Sequence, residues 1–239
     1  MFVRRAGFTP HQLRPFNIKC LGVQQASPPN AEPRWPATVA LVAIGALQAV
    51  LREPLSPGPY WLVLAVIVFL LVPTIVAHRT GRHLLDRCLG YVILAVATAA
   101  MCFSLGMMVW RMALHLDKPD VLLRSAAALW VTNILVFASW YWRLDAGGPH
   151  RRALKAAHTY GAFLFPQMTL SPKAMQAAGC ENWSPGFVDY LFLAFNTSTA
   201  FSPTDVPVLS RWAKAMMMVQ SIISLLTVAL LAARAVNIL

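Results

Sequence analysis

Five stretches of this chain contain no Asp, Glu, Lys or Arg: Trp35–Leu51, Pro54–Ala77, Cys88–Trp110, Ser125–Trp142 and Ala215–Ala233. A helix needs roughly 17 to 25 mostly apolar residues to cross about 30 Å of hydrocarbon. All five runs reach that range, the first only just. A soluble core helix could account for one of them but not for five. The expected fold is therefore an all-α integral membrane protein with five transmembrane helices. Only 12% of the residues are charged, about half the share usual in soluble domains.

The net charge is +11, which raises the question of nucleic acid. The cations, however, sit singly or in pairs at the ends of the apolar runs, not in a stripe interleaved with exposed aromatics. Cations in those positions hold helix ends at the lipid headgroups, so the expected partner is the bilayer and not nucleic acid. Five spans place the termini on opposite sides. With the N-terminus in the cytoplasm, every one of the twenty basic residues except Arg52, Arg111, Lys118, Arg124 and Arg234 lies inside. The positive-inside rule selects that orientation, in a bacterial cytoplasmic membrane.

Residues 1–34 are polar and proline-rich and read as a disordered tail. No apolar stretch follows Arg4 and Arg5, which argues against a cleaved leader. Residues 35–143 hold four spans, at about 35–51, 54–77, 88–110 and 121–142. The first two are joined by a turn containing Pro54, Pro57, Gly58 and Pro59. Tyr60 and Trp61 fall where an interfacial aromatic belt would lie. Residues 144–186 form a long basic loop with Arg151, Arg152 and Lys155. Within it, Ala156–Leu170 reads as an interfacial helix or a second re-entrant piece. Cys88 and Cys102 read as small buried hydrophobes. The histidines His11, His78, His83, His115, His150 and His158 read as headgroup contacts and not as metal ligands.

Residues 187–239 are the most informative. Tyr190–Thr199 is apolar, aromatic and only half a spanning length. Asn196, Thr197, Ser198, Thr199, Ser202, Thr204 and Asp205 then make the chain polar, and Pro203 and Pro207 stop any helix. A short helix, a polar irregular loop and a full span together make a re-entrant hairpin, since irregular backbone at membrane depth survives only inside protein or beside water. Asp189 is placed to cap the short helix, and Ser202 or Thr204 with Asp205 to cap the last one. Asn133 and Gln220, inside spans, are expected to hydrogen-bond between helices. Met216–Met218 reads as filler facing lipid or core.

This layout resembles the pore hairpin of tetrameric potassium-type cation channels. Thr197 and Thr199 match the filter-entry threonines, Asp205 the acid at the filter exit, and Pro207, Ser210 and Arg211 the run into the inner helix. The chain as a whole is similar to an uncharacterised family of bacterial multi-pass membrane proteins, a domain of unknown function with the same hairpin. The channels' filter depends on glycines that turn carbonyls toward the ion. The matching stretch here, Ala200-Phe201-Ser202-Pro203-Thr204, has none, so a carbonyl-lined potassium filter is not expected.

What remains is a lining of Thr197, Ser198, Thr199, Phe201, Ser202 and Thr204 with an acidic ring from Asp205, one of the ways a pore favours cations. Arg211 and Lys214 would stand at its mouth. The inward orientation makes the pore inverted relative to potassium channels, as ionotropic glutamate receptors are by resemblance. The expectation is a channel-like homo-oligomer, a tetramer, passing monovalent cations. The alternative is a non-conducting membrane subunit or scaffold. The sequence shows no nucleophile–base pair, phosphate-cradling glycine loop or zinc motif, and almost no ionisable residue inside the spans. No enzyme activity, cofactor or metal is expected.

Overall fold

The computed structural model describes residues 32–51, 55–114, 116, 118–153, 161–180, 183–200 and 206–236. The helices are α1 (Trp35–Val50), α2 (Leu62–Arg79), α3 (His83–Ala113), α4 (Pro119–Leu144), α5 (Pro149–Ala153), α6 (Pro172–Ala177), α7 (Phe187–Thr199) and α8 (Arg211–Val236). Short 3₁₀ turns cover Asp145–Gly147 and Pro166–Thr169. Among the described residues the only β-type pairing is an isolated bridge between Phe163 and Val208.

Four helices, α2, α3, α4 and α8, are long and apolar enough to cross a bilayer. The run expected as a first span folds as α1, whose 16 residues rise only about 24 Å at 1.5 Å per residue. The second helix begins at Leu62 and not at Pro54, because the chain from Leu55 to Trp61 is a series of bends and turns. Gly58 sits there at φ +118°, between two prolines, a conformation that interrupts a helix.

α4 is the central element and packs on α1, α3, α7 and α8, while α2 packs on α1 and α3. The apolar window of α4 is 61% buried, against 28% for α2 and 22% for α8, so α2 and α8 turn wide apolar faces outward. Phe69 is 76% exposed and Ile222 66%. Contiguous apolar surface on that scale suits lipid and not water. Cys88 and Cys102, expected to be buried, lie on such outward faces and are exposed. An apolar run in a membrane helix has a lipid-facing side as well as a core-facing one, and sequence alone does not separate them.

One end of the bundle gathers the starts of α1, α3, α7 and α8 and the ends of α2 and α4. There Arg34 pairs with Asp86, His83 stacks on His150, Trp142 meets Phe187, and Phe163 meets Trp212. We call it the basic end. Within Ala156–Leu170, residues 161–165 are not helical. Phe163 and Phe165 are buried, and the strand-like stretch is clipped to the chain before α8. Leu164 N–H donates to Pro207 O at 3.0 Å, and Leu209 N–H to Ala162 O at 2.8 Å.

Candidate functional site

Gly186 N–H donates to the Asp189 carboxylate at 2.7 Å, so Asp189 closes the first turn of α7 and places a negative charge at its positive dipole end. From Phe187, beside Trp142 at the basic end, α7 runs inward along α4 and α8. Its far end reaches Ser198, whose carbonyl accepts from the Ser224 hydroxyl at 2.7 Å. Ser224 is well along α8, level with Trp130 of α4, whose indole N–H donates to the same Ser224 hydroxyl at 3.1 Å. By Val206–Val208 the chain is back at the basic end against Phe163. α7 therefore starts at the basic end and stops beside Ser224, partway along α8.

Gln220 of α8 organises the polar contacts that fix α7. Its amide donates to Ala194 O at 2.7 Å and to the Ser198 hydroxyl at 2.8 Å. Its carbonyl oxygen accepts from the Tyr141 hydroxyl at 2.6 Å. Asn133 donates to the Gln220 backbone carbonyl at 3.3 Å. Asn133 and Gln220 thus bridge helices, as their placement within apolar runs suggested. Away from water such groups need partners inside the protein, and one glutamine supplies them for three helices.

A second network closes the basic end. Arg152 donates to the carbonyls of Trp142 at 2.7 Å and Asp145 at 3.0 Å, and to Glu32 at 3.1 Å. Its guanidinium carbon lies 5.1 Å from the Tyr190 ring centre. Glu32 also accepts from the Trp142 indole. The Asp145 carboxylate accepts from Tyr190 OH at 2.6 Å and from the Ala162 N–H. These contacts hold the start of α7 against the end of α4 and the segment before α1. The chain read as a disordered tail to residue 34 is thus engaged at Glu32 and Arg34, while residues 1–31 lie outside the described residues. Arg152, read as part of a long basic loop, is buried.

The residues expected to line a pore are distributed unevenly. The Thr197 hydroxyl is buried and donates to Leu193 O at 2.8 Å, a return to its own helix. Ser198 is buried in the Gln220 network. Thr199, at the inner tip of α7, is exposed although its hydroxyl bonds to Phe195 O. Phe201, Ser202, Thr204 and Asp205 lie outside the described residues. Arg211 and Lys214 are exposed at the start of α8. That helix starts six residues beyond Asp205, and its first turn is capped by Ser210, whose hydroxyl accepts from Ala213 N–H at 3.3 Å. The capping role expected of Ser202, Thr204 and Asp205 falls to Ser210, because an extended stretch separates them from the helix.

The internal pairing of Tyr141, Asp145, Arg152 and Tyr190 was not expected from the sequence. One signal was present. The chain has only nine acidic residues, so an Asp directly after a span, seven residues before an arginine, marks a candidate for internal pairing. Among the described residues no group of three or more His, Cys, Asp or Glu is arranged to hold a metal. No protein-family model, curated protein or solved structure matches this chain.

Proposed function

We propose that this chain is a channel-like multi-pass membrane protein. It assembles as a homo-oligomer, a tetramer, and passes monovalent cations along an axis lined by Thr199, Phe201, Ser202, Thr204 and Asp205. The observation that carries the reading is the course of α7, which begins at the basic end beside Trp142, stops beside Ser224, and is followed by a return to the basic end at Val208. Its 13 residues rise about 20 Å, short of a bilayer's roughly 30 Å. In this reading α7 is a re-entrant helix and α1 a fifth crossing. The C-terminal carbonyls of α7 point their partial negative charge inward, which favours a cation at the tip. The basic end faces the cytoplasm of a bacterium by the positive-inside rule. The resemblance to the uncharacterised bacterial family with the same hairpin is part of this proposal.

A second reading, a non-conducting membrane subunit or scaffold, draws on the internal hydrogen bonds of Thr197 and Ser198, which spend those hydroxyls inside the chain. Cation flux into liposomes containing purified protein separates the two. The expected result is flux in the wild type, reduced in Asp205→Ala and Thr199→Ala and unchanged in Thr197→Val. Silence in the wild type would leave the scaffold reading standing.

A further inference from the structure

On the α1–α2–α3 side of the basic end lies a feature that the α7 site does not use. A cleft of about 160 Å³ is bordered by Arg34, Arg87, Arg143, Arg151 and the stacked His83 and His150, with Asp86 as its one carboxylate. Asp86 is already engaged by Arg34 at 2.6 Å. Arg87 donates to the Tyr91 hydroxyl at 3.3 Å, and Arg143 lies over the Trp142 ring at 5.6 Å. Among the described residues no carboxylate comes within 4 Å of the Arg143 guanidinium. Four guanidiniums around one committed carboxylate leave an excess of positive charge that an anion would satisfy, and guanidinium geometry suits phosphate.

The seat of Arg143 is specific. A Cβ on Gly90 would stand 1.8 Å from its Nη1, so only a glycine on α3 lets the guanidinium lie there.

A second cleft, of about 320 Å³, shares Arg34, Asp86 and Arg143 as its border and continues between α1 and α2 past Ala37, Leu41, Leu71 and Ile75. From Arg34 to Leu41 the groove follows α1 for about 10 Å, away from the basic end and into the apolar zone. A free phosphate would use the first cleft alone. A molecule that uses both has a charged head and a hydrocarbon tail.

We propose that the two clefts form one binding site for an anionic phospholipid, with its phosphate at Arg143 and Arg87 and an acyl chain in the α1–α2 groove. The site stands whether or not the chain conducts. It also fits the interface, where anionic headgroups collect around clustered cations.

Mass spectrometry of the intact protein released from detergent tests the proposal, with phosphatidylglycerol, phosphatidylcholine of identical chains, and inorganic phosphate as probes. One phosphatidylglycerol is expected to remain bound at concentrations about tenfold below those at which phosphatidylcholine does. Gly90→Ala retains every charge and displaces only the end of a flexible side chain, so it folds and removes that preference, as Arg143→Gln does. Leu41→Trp fills the groove and weakens phosphatidylglycerol binding about tenfold while leaving all charges in place. Equal retention of the two lipids would overturn the proposal. So would full displacement by inorganic phosphate together with an unaffected Leu41→Trp, which would make the cleft a free-anion site.

Discussion

At Arg152 a side chain that reads as one cation of a basic loop is withdrawn from solvent and bonded to two carbonyls and to Glu32. Removing one partner of a buried ion pair strands the other, at a cost of about 3–5 kcal/mol. Arg152→Met is therefore expected to lose stability on that scale in denaturing-detergent unfolding. Glu32→Gln combined with Arg152→Met should recover much of the loss; if the double variant is no better than the single, the pair is not the source of the effect. His150 is a milder case. Partial desolvation, then the nearby His83 and Arg34, hold its pKa below the usual 6.5, against a smaller opposing pull from Asp86. The folded chain thus takes up the His150 proton less readily than the unfolded chain. The stability this contributes is complete above 6.5 and is lost as pH falls through the lower folded value. A falling unfolding midpoint between about pH 7.5 and about pH 5.5, flattened in His150→Gln, is the expected outcome. Polar residues inside spans, Asn133 and Gln220, were legible because an apolar run makes them conspicuous. Tyr141 and Arg152 were not, because an aromatic or a cation at a helix end is ordinary for a membrane protein.

Among the elements, α1 packs on α2 through a small residue. A Cβ on Gly45 would lie 3.0 Å from the Leu64 Cα, so the helices meet almost backbone to backbone, the kind of approach that small residues allow between membrane helices. Gly45→Val should force α1 from α2 and cost about 1–3 kcal/mol, measured by the same unfolding assay. An unchanged midpoint would mean that the contact contributes little. Helix identities were readable from the charge-free runs, because continuous hydrophobicity is a strong local signal. Their ends were less so. The turn ahead of α2 and the cap of α8 depend on backbone bends and on a serine that competes with several equally plausible neighbours. The extended piece around Phe163 was missed, because an antiparallel bridge to Val208, far along the chain, leaves no local pattern.

For the molecule as a whole, the exposed side of α7, with Val188, Phe192, Phe195 and Thr199 at helical spacing, is where copies would meet if the proposed tetramer forms. In a background without native cysteines, Thr199→Cys is then expected to form disulfide-linked dimers under mild oxidation in membranes. Val68→Cys, on the outward face of α2, should not. Failure of Thr199→Cys to crosslink would remove the axial arrangement on which the proposed conduction depends. Four of the five charge-free runs form helices long and apolar enough to cross a bilayer, and the fifth forms the 16-residue α1, whose crossing belongs to the proposal.

What this sequence determined by itself is that the chain is helical, with helices apolar and long enough to cross a membrane and its charge gathered at the ends of its apolar runs. Charge-free runs of that length have few alternatives once backbone hydrogen bonds must be met within each segment. Only the tertiary structure decided which side of each helix faces inward, that Gln220 joins α4, α7 and α8, and that four arginines border one cleft around Asp86. Those facts depend on residues far apart in the chain meeting at distances of a few ångströms, and composition and periodicity carry no record of such meetings.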